Sequence, residues 1–226
     1  MKYLEPLFEL FEANANPENA VQMAKYMKNK FAFLGIKKPL RSELMKQFYN
    51  KNGYPKISEL KEICRTLWTQ PYREYQYAAD GMLHKFRRDV DKSFIALYEY
   101  LIVTKSWWDT VDALATQNVG VLFQRFPEMS EKYSPKWIDS QNIWLKRTAL
   151  LFQLDYKEKT DVELLFKYIK KCAAHKDFFI RKAIGWVLRE YSKTDAQIVI
   201  EFVKNNELSP LSKREALKWL KNKGKI

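Results

Sequence analysis

Apolar residues recur at intervals of three and four along most of this chain. In Phe178–Tyr191 they fall at Ile180, Ala183, Ile184, Val187, Leu188 and Tyr191, the spacing of one face of an α-helix. The stretch SWWDTVDALA, Ser106 to Ala115, has the same period. There Trp107, Val111 and Leu114 make the apolar stripe, Trp108 sits at its margin, and Asp112 lies further round on the polar side. Asn142–Leu154 differs, being apolar on nearly every side and yet carrying Arg147.

A longer period is superimposed on the short one. The segments RSELM, QYAAD, VDALA, RTALL, RKAIG and REALK begin at Arg41, Gln76, Val111, Arg147, Arg181 and Arg214, with separations of 35, 35, 36, 34 and 33 residues. Alanine is third in five of them (Ala78, Ala113, Ala149, Ala183, Ala216), where a small side chain lets helices approach closely. Recurrence near 35 residues with helical patterning is the mark of stacked helix pairs. The expectation is an all-α fold: an α-solenoid of about six HEAT-like helical repeats forming a single domain over 1–226.

Cap signals fit that reading. Asn16-Pro17 and Ser209-Pro210 place a capping side chain before a proline at the first helical position, and Ser106…Asp109 resembles a capping-box start. Asn52–Pro55 (NGYP) and Ser134–Asn142 (SPKWIDSQN) read as loops between helices.

Composition narrows the partners. Among 226 residues, 40 are Lys or Arg and 27 Asp or Glu, a formal charge of +13. An excess of that size favours a polyanion, nucleic acid first, with membrane surfaces and RNA assemblies open as alternatives. Cys64 and Cys172, and His84 and His175, are the only cysteines and histidines. Neither pair has metal-ligand spacing, so no metal or cofactor is expected, and the thiols read as small core residues of a reducing cytosol. The N-terminal MKYLEPLFELFEA carries acids through its apolar positions, unlike a signal peptide. The longest uncharged run, Ala113–Gln124, has twelve residues, too few to span a bilayer. A cytoplasmic monomer is the resulting expectation.

Several residues do not fit a plain core. Trp186 lies off its helix stripe, flanked by Lys182 four residues before and Arg189 three after, so it either touches a ligand or packs on the next repeat. Arg147 cannot lose its proton and must meet an anion. Asp112, one repeat earlier and one register position off, is within reach if neighbouring repeats stack. Such a pair would brace two repeats, serve a site, or do both. Lys182, Arg189, Lys213 and Arg214 read as phosphate contacts, or as ordinary solvated charges.

The segments TKSWWDTVD, NIWLKRTALLFQLDYK, FFIRKAIGWVLREY and NNELSPLSKREALK, together with AKYMKNKFAFLGIKKP (Ala24–Pro39), resemble AlkD-like bacterial DNA alkylpurine glycosylases, from roughly Asn16 to Leu217. The resemblance implies a C-shaped solenoid whose concave basic face holds duplex DNA. It also implies excision of 3- and 7-alkylated purines without flipping the base into a pocket. The family's catalytic aspartate falls on Asp112, its active-site tryptophans on Trp108 and Trp186, its supporting arginine on Arg147 and the first-repeat tyrosine on Tyr26. The loop LGIKKP departs from the family pattern at Lys37 and Lys38, which bears on contacts to the strand opposite the lesion.

These residue types suit that chemistry. Loss of a cationic base leaves an oxocarbenium-like sugar, which a carboxylate stabilises and indole faces favour. Two function classes therefore stand: a monofunctional DNA glycosylase for alkylated bases in double-stranded DNA, and a catalytically silent solenoid that binds nucleic acid or protein. No compact pocket for an extruded base is legible in the chain.

Overall fold

A computed structural model describes residues 2–226. It is built from helices, with a single isolated bridge, Ala32 to Tyr72, and no strands among the described residues. Backbone contacts divide the chain into two units, Met1–Val90 and Asp91–Ile226.

The first unit holds α1 (Glu5–Ala13), α2 (Pro17–Tyr26), α3 (Lys38–Asn52), α4 (Ile57–Thr69) and α5 (Arg73–Phe86). Its core includes Leu7, Phe11, Phe48, Leu60 and the Cys64 thiol, all buried. The loop before α3 is fixed from below. Buried Glu74 accepts the backbone N–H groups of Leu34, Gly35 and Ile36 at 3.0, 2.9 and 3.1 Å, which satisfies a carboxylate that burial would otherwise penalise. Gly35 has φ +89°, and a Cβ there would meet the Asn16 carbonyl, so no other residue fits.

The second unit holds α6 (Ile95–Val103), α7 (Trp108–Ala113), α8 (Gly120–Arg125), α9 (Pro127–Asp139), α10 (Ile143–Leu151), α11 (Val162–Cys172), α12 (Phe178–Tyr191), α13 (Ala196–Asn205) and α14 (Pro210–Asn222). Between α7 and α8 the helix runs on without a break through a π-helical segment, Leu114–Val119. Helices α12 and α14 pack closely because residue 185 is glycine. A Cβ there would lie 2.5 Å from the Glu215 Cβ and 2.9 Å from the Ser212 carbonyl.

The 35-residue period maps onto this architecture. Its six segments fall on α3, α5, α7, α10, α12 and α14, each starting at the fourth or fifth residue of its helix. Ala78, Ala149, Ala183 and Ala216 are buried, as close packing requires, whereas Ala113 is only half-buried. Asn16 and Ser209 cap α2 and α14, accepting the N–H of Asn19 at 2.9 Å and of Ser212 at 3.1 Å.

Two local expectations are corrected. Ser134–Asn142 is a loop only over its last three residues, since α9 continues through Pro135 to Asp139. A proline inside a helix costs about 3 kcal/mol, but burial on both sides of it outweighs that. Trp137 and Ile138 are buried, Trp137 stacks on Phe123 at 5.7 Å and donates to Glu99 at 2.9 Å, and Ser134 bonds Tyr168 at 2.8 Å. The capping box at Ser106 does not form either. Trp107 is the N-cap of α7, and the Ser106 hydroxyl donates back to the Ile102 carbonyl at 2.6 Å.

Among the described residues no helix is long and apolar enough to cross a membrane, and no cluster of three or more His, Cys, Asp or Glu side chains is placed to hold a metal ion.

Candidate active site

The site is assembled inside the second unit from α7, α10, α12 and α14. Trp107 is pinned in an aromatic cluster, 5.7 Å from Trp144 and 4.9 Å edge-on from Phe179. With Trp107, Val111 and Leu114 all turned inward, the opposite edge of α7 carries Trp108 and Asp112, four residues apart on one face. Asn142 caps α10 by accepting the N–H of Trp144 at 2.9 Å. Asp177 caps α12 by accepting the N–H of Phe179 at 2.7 Å. The two caps fix where Arg147 and the α12 side chains begin.

Arg147 finds the anion its burial demands. Its Nε donates to Asp112 Oδ1 at 2.7 Å and its Nη2 to Oδ2 at 2.8 Å, while Nη1 donates to the Phe179 carbonyl. The arginine side chain is 5% exposed and the aspartate 17%. Asp112 is therefore not on a solvated polar face, as the helical period alone suggests, but is sunk against α10. Burial pushes its carboxyl above the ordinary range, opposed by the hydrogen bonds and charge of Arg147. A bidentate guanidinium also fixes the plane of the carboxylate.

Asp112 and Arg147 share a cleft of about 340 Å³ with Trp108, Trp186, Phe178 and Phe179, and Lys182, Arg189 and Glu215 complete its lining. Separate helices contribute its walls, so no contiguous motif could reveal it. The cleft is lined by four aromatic and five charged side chains, with no amide or hydroxyl side chain among them. Trp108 and Trp186 are half-buried, whereas Trp68, Trp107, Trp137 and Trp144 are core.

Lys182 and Arg189 are not simply solvated. Lys182 Nζ lies 2.9 Å from Glu215 Oε1, and Arg189 Nη1 donates to Glu215 Oε2 at 2.7 Å. The hydrogen bond from Lys182, with that from Arg189, holds the Glu215 carboxyl below the ordinary range despite burial. Glu215, Phe178 and Phe179 were not legible as site residues, although Glu215 carries one signal: it is the only acid after Glu207 in a strongly basic C-terminal stretch. Lys213 is half-buried and Arg214 exposed, and neither lines the cleft.

Tyr26 belongs to the first unit. It is 71% exposed and borders a separate recess of about 210 Å³ with Lys37, Phe33 and Tyr77. Lys37 and Lys38 are both exposed, as the N-cap and first residue of α3, directly after the loop that Glu74 anchors.

Four helices thus bring an arginine-gripped carboxylate and two indoles into one cleft of an all-helical protein. The chain belongs to the DNA alkylation repair enzyme family, whose model matches residues 7–220. It is similar to the solved structure "Predicted DNA alkylation repair enzyme from Enterococcus faecalis", with 35% identity, a TM-score of 0.84, and coverage of 91% of this chain and 96% of that one. No match was found among curated proteins.

Proposed function

We propose that this protein is a monofunctional DNA glycosylase that hydrolyses the N-glycosidic bond of cationic alkylated purines, of the 3-methyladenine and 7-methylguanine type, in duplex DNA. The observation that carries the reading is the Asp112 carboxylate, clamped by Arg147 in a cleft it shares with Trp108 and Trp186.

The alkylated purine carries its positive charge before the reaction starts, so its departure needs no acid. The C1′–N9 bond breaks and its electron pair returns to the base, which leaves neutral. The positive charge passes to the sugar, where the fixed carboxylate stabilises it. Water then forms the new C1′–O bond, and its proton goes to Asp112 or to solvent. Indole faces add roughly 0.5–2 kcal/mol each for a nearby cation. Arg147 acts as a positioning residue, since it spends its donors on Asp112 and the Phe179 carbonyl. Lys182 and Arg189 meet backbone phosphates, and Tyr26 in the first unit touches the duplex as well.

In this reading the base stays stacked. Enzymes that extrude a base read its edge with hydrogen bonds, and the two carboxylates of this cleft are already engaged, Asp112 by Arg147 and Glu215 by Lys182 and Arg189. The protein acts on DNA in the cytoplasm as a monomer, with the whole chain serving as one DNA-binding domain and without a cofactor.

The test is incubation with methylated duplex DNA and analysis for free base. Release of free 3-methyladenine or 7-methylguanine, leaving an abasic strand, is expected. Salt-sensitive duplex binding with no base release would instead favour a catalytically silent solenoid.

A further inference from the structure

We propose that Glu215 is a positioning residue of this site, which holds Lys182 and Arg189 on either side of Trp186 so that both cations meet the phosphates flanking the lesion in one fixed geometry. The inference rests on the reading that the cleft receives a nucleotide of duplex DNA.

Lys182, Trp186 and Arg189 stand at i, i+4 and i+7 of α12, one above another on one face. Glu215 reaches across from α14 and divides its two oxygens between the outer pair, at 2.9 and 2.7 Å. The acid is the most deeply set of the three: its side chain is 12% exposed, against 37% for Lys182 and 25% for Arg189. Its Cβ occupies space that only a glycine at 185 leaves open. Glu215 is thus built into the helix contact rather than laid over the surface, and a phosphate approaching from solvent meets the cations first.

Simple charge attraction does not explain this acid. Two cations and one carboxylate leave the cluster at +1 where the cations alone would give +2, so Glu215 weakens the pull on a phosphate. What it supplies is order. Long side chains lose rotamer freedom when they bind, and a carboxylate held below the ordinary range stays ionised and keeps both tethered. The tether does not disarm them, because an ammonium has three donors and a guanidinium five. A side effect is that Trp186 is bracketed along the helix, which restricts where its ring can turn.

The experiment compares wild type, Glu215→Gln and Glu215→Asp as intact chains, measuring undamaged-duplex affinity over a salt series and single-turnover release of 7-methylguanine at saturating enzyme. Positioning predicts a split in Glu215→Gln. Affinity at low salt is unchanged or higher, and the log–log salt slope is unchanged, because both cations still meet phosphates. The excision rate falls about tenfold or more, since small misplacements near reacting groups are costly. Glu215→Asp, which keeps the charge but is one methylene short, has wild-type affinity and salt slope with an intermediate rate.

An excision rate for Glu215→Gln within about twofold of wild type overturns the proposal. So does a low-salt affinity of Glu215→Gln well below that of wild type, which would place the effect of Glu215 in binding. If Glu215→Gln does not fold, Glu215→Asp decides: a wild-type rate refutes the proposal, and a lowered rate at wild-type affinity supports it. Wild type that releases no base defeats the glycosylase reading itself, whereas active wild type with an equally active Glu215→Gln defeats only this inference.

Discussion

Arg147 closes two parallel N–H donors on the two oxygens of Asp112, at 2.7 and 2.8 Å, and turns a third donor onto the Phe179 carbonyl. One side chain thereby ties α7, α10 and the start of α12 together and fixes the carboxylate plane. Charge-assisted pairs of this kind are roughly twice as strong as neutral hydrogen bonds. The same bonds brace three helices and hold the carboxylate in one orientation.

Asp112→Asn is expected to separate binding from chemistry. The amide keeps the shape and an acceptor for Arg147, so duplex affinity should hold. Loss of the negative charge removes stabilisation of the developing sugar cation and should lower single-turnover excision by about 10²–10³-fold. A rate within about twofold of wild type would falsify a catalytic role for Asp112.

Arg147→Ala should harm the fold as much as the activity. It leaves a mostly buried carboxylate without its counter-charge, a situation that costs about 3–5 kcal/mol, here near the lower end because Asp112 retains 17% exposure. Urea unfolding measures the loss. In a double-mutant cycle with Asp112→Asn the two changes should not add, because the second removes the charge that the first strands.

What could be read from the sequence divides along physical lines. Helical periodicity and the alanine register located the repeat helices because close packing constrains each repeat alike. Arg147 in an apolar helix announced its need for an anion, and Asp112 lay one repeat away. The π-helical segment Leu114–Val119 was hidden, since a period of 3.6 is assumed when a helix is read from its pattern. The continuation of α9 through Pro135 was missed because local propensity disfavours it, and only the burial of Trp137 and Ile138 reverses the balance. The cleft and the two bonds of Glu215 depend on contacts between α12 and α14, which spacing along the chain does not encode.

The pH dependence should carry opposite signs at the two acids. Burial raises the Asp112 carboxyl above its usual 3.8, so the folded state holds that proton more tightly than the unfolded chain. Its contribution to stability is fully present below 3.8 and lost as pH rises through the raised value. Excision needs the ionised form, so the acidic limb of the rate profile should also lie above 3.8. Glu215 is lowered from 4.5, and its contribution is present above 4.5 and lost as pH falls through the lowered value. Unfolding free energies across acidic pH, compared with those of Asp112→Asn and Glu215→Gln, separate the two. A wild-type advantage over Asp112→Asn that grew with pH across this range would contradict the assignment for Asp112.

Gly185→Ala should destabilise by about 1–3 kcal/mol, the usual cost of forcing atoms into a packed contact. The added Cβ would fall 2.5 Å from the Glu215 Cβ and 2.9 Å from the Ser212 carbonyl, so α14 must move away from α12. Because Glu215 moves with it, the bonds to Lys182 and Arg189 should loosen, and excision should fall along with the thermal midpoint. An unchanged midpoint would show that the helices absorb the methyl without separating.

The last prediction concerns size. A site that encloses an extruded base discriminates by bulk, because the base must fit. The cleft offers about 340 Å³ lined by aromatic and charged side chains, near the lower bound for a ligand cavity. If the sugar, not the base, enters it, the rate should follow the charge and lability of the leaving base and be indifferent to its bulk. Two N7-linked cationic purines, one small and one bulky, placed in the same duplex and matched for spontaneous depurination, should then be excised at rates within about tenfold of each other. Rejection of the bulky adduct by a far larger factor would show that the base is enclosed. That result would remove the stacked-base reading while leaving base release itself intact. Trp186→Ala adds a second criterion. It should slow both substrates by a similar factor if the ring lies against the sugar, and slow them unequally if it stacks on the base.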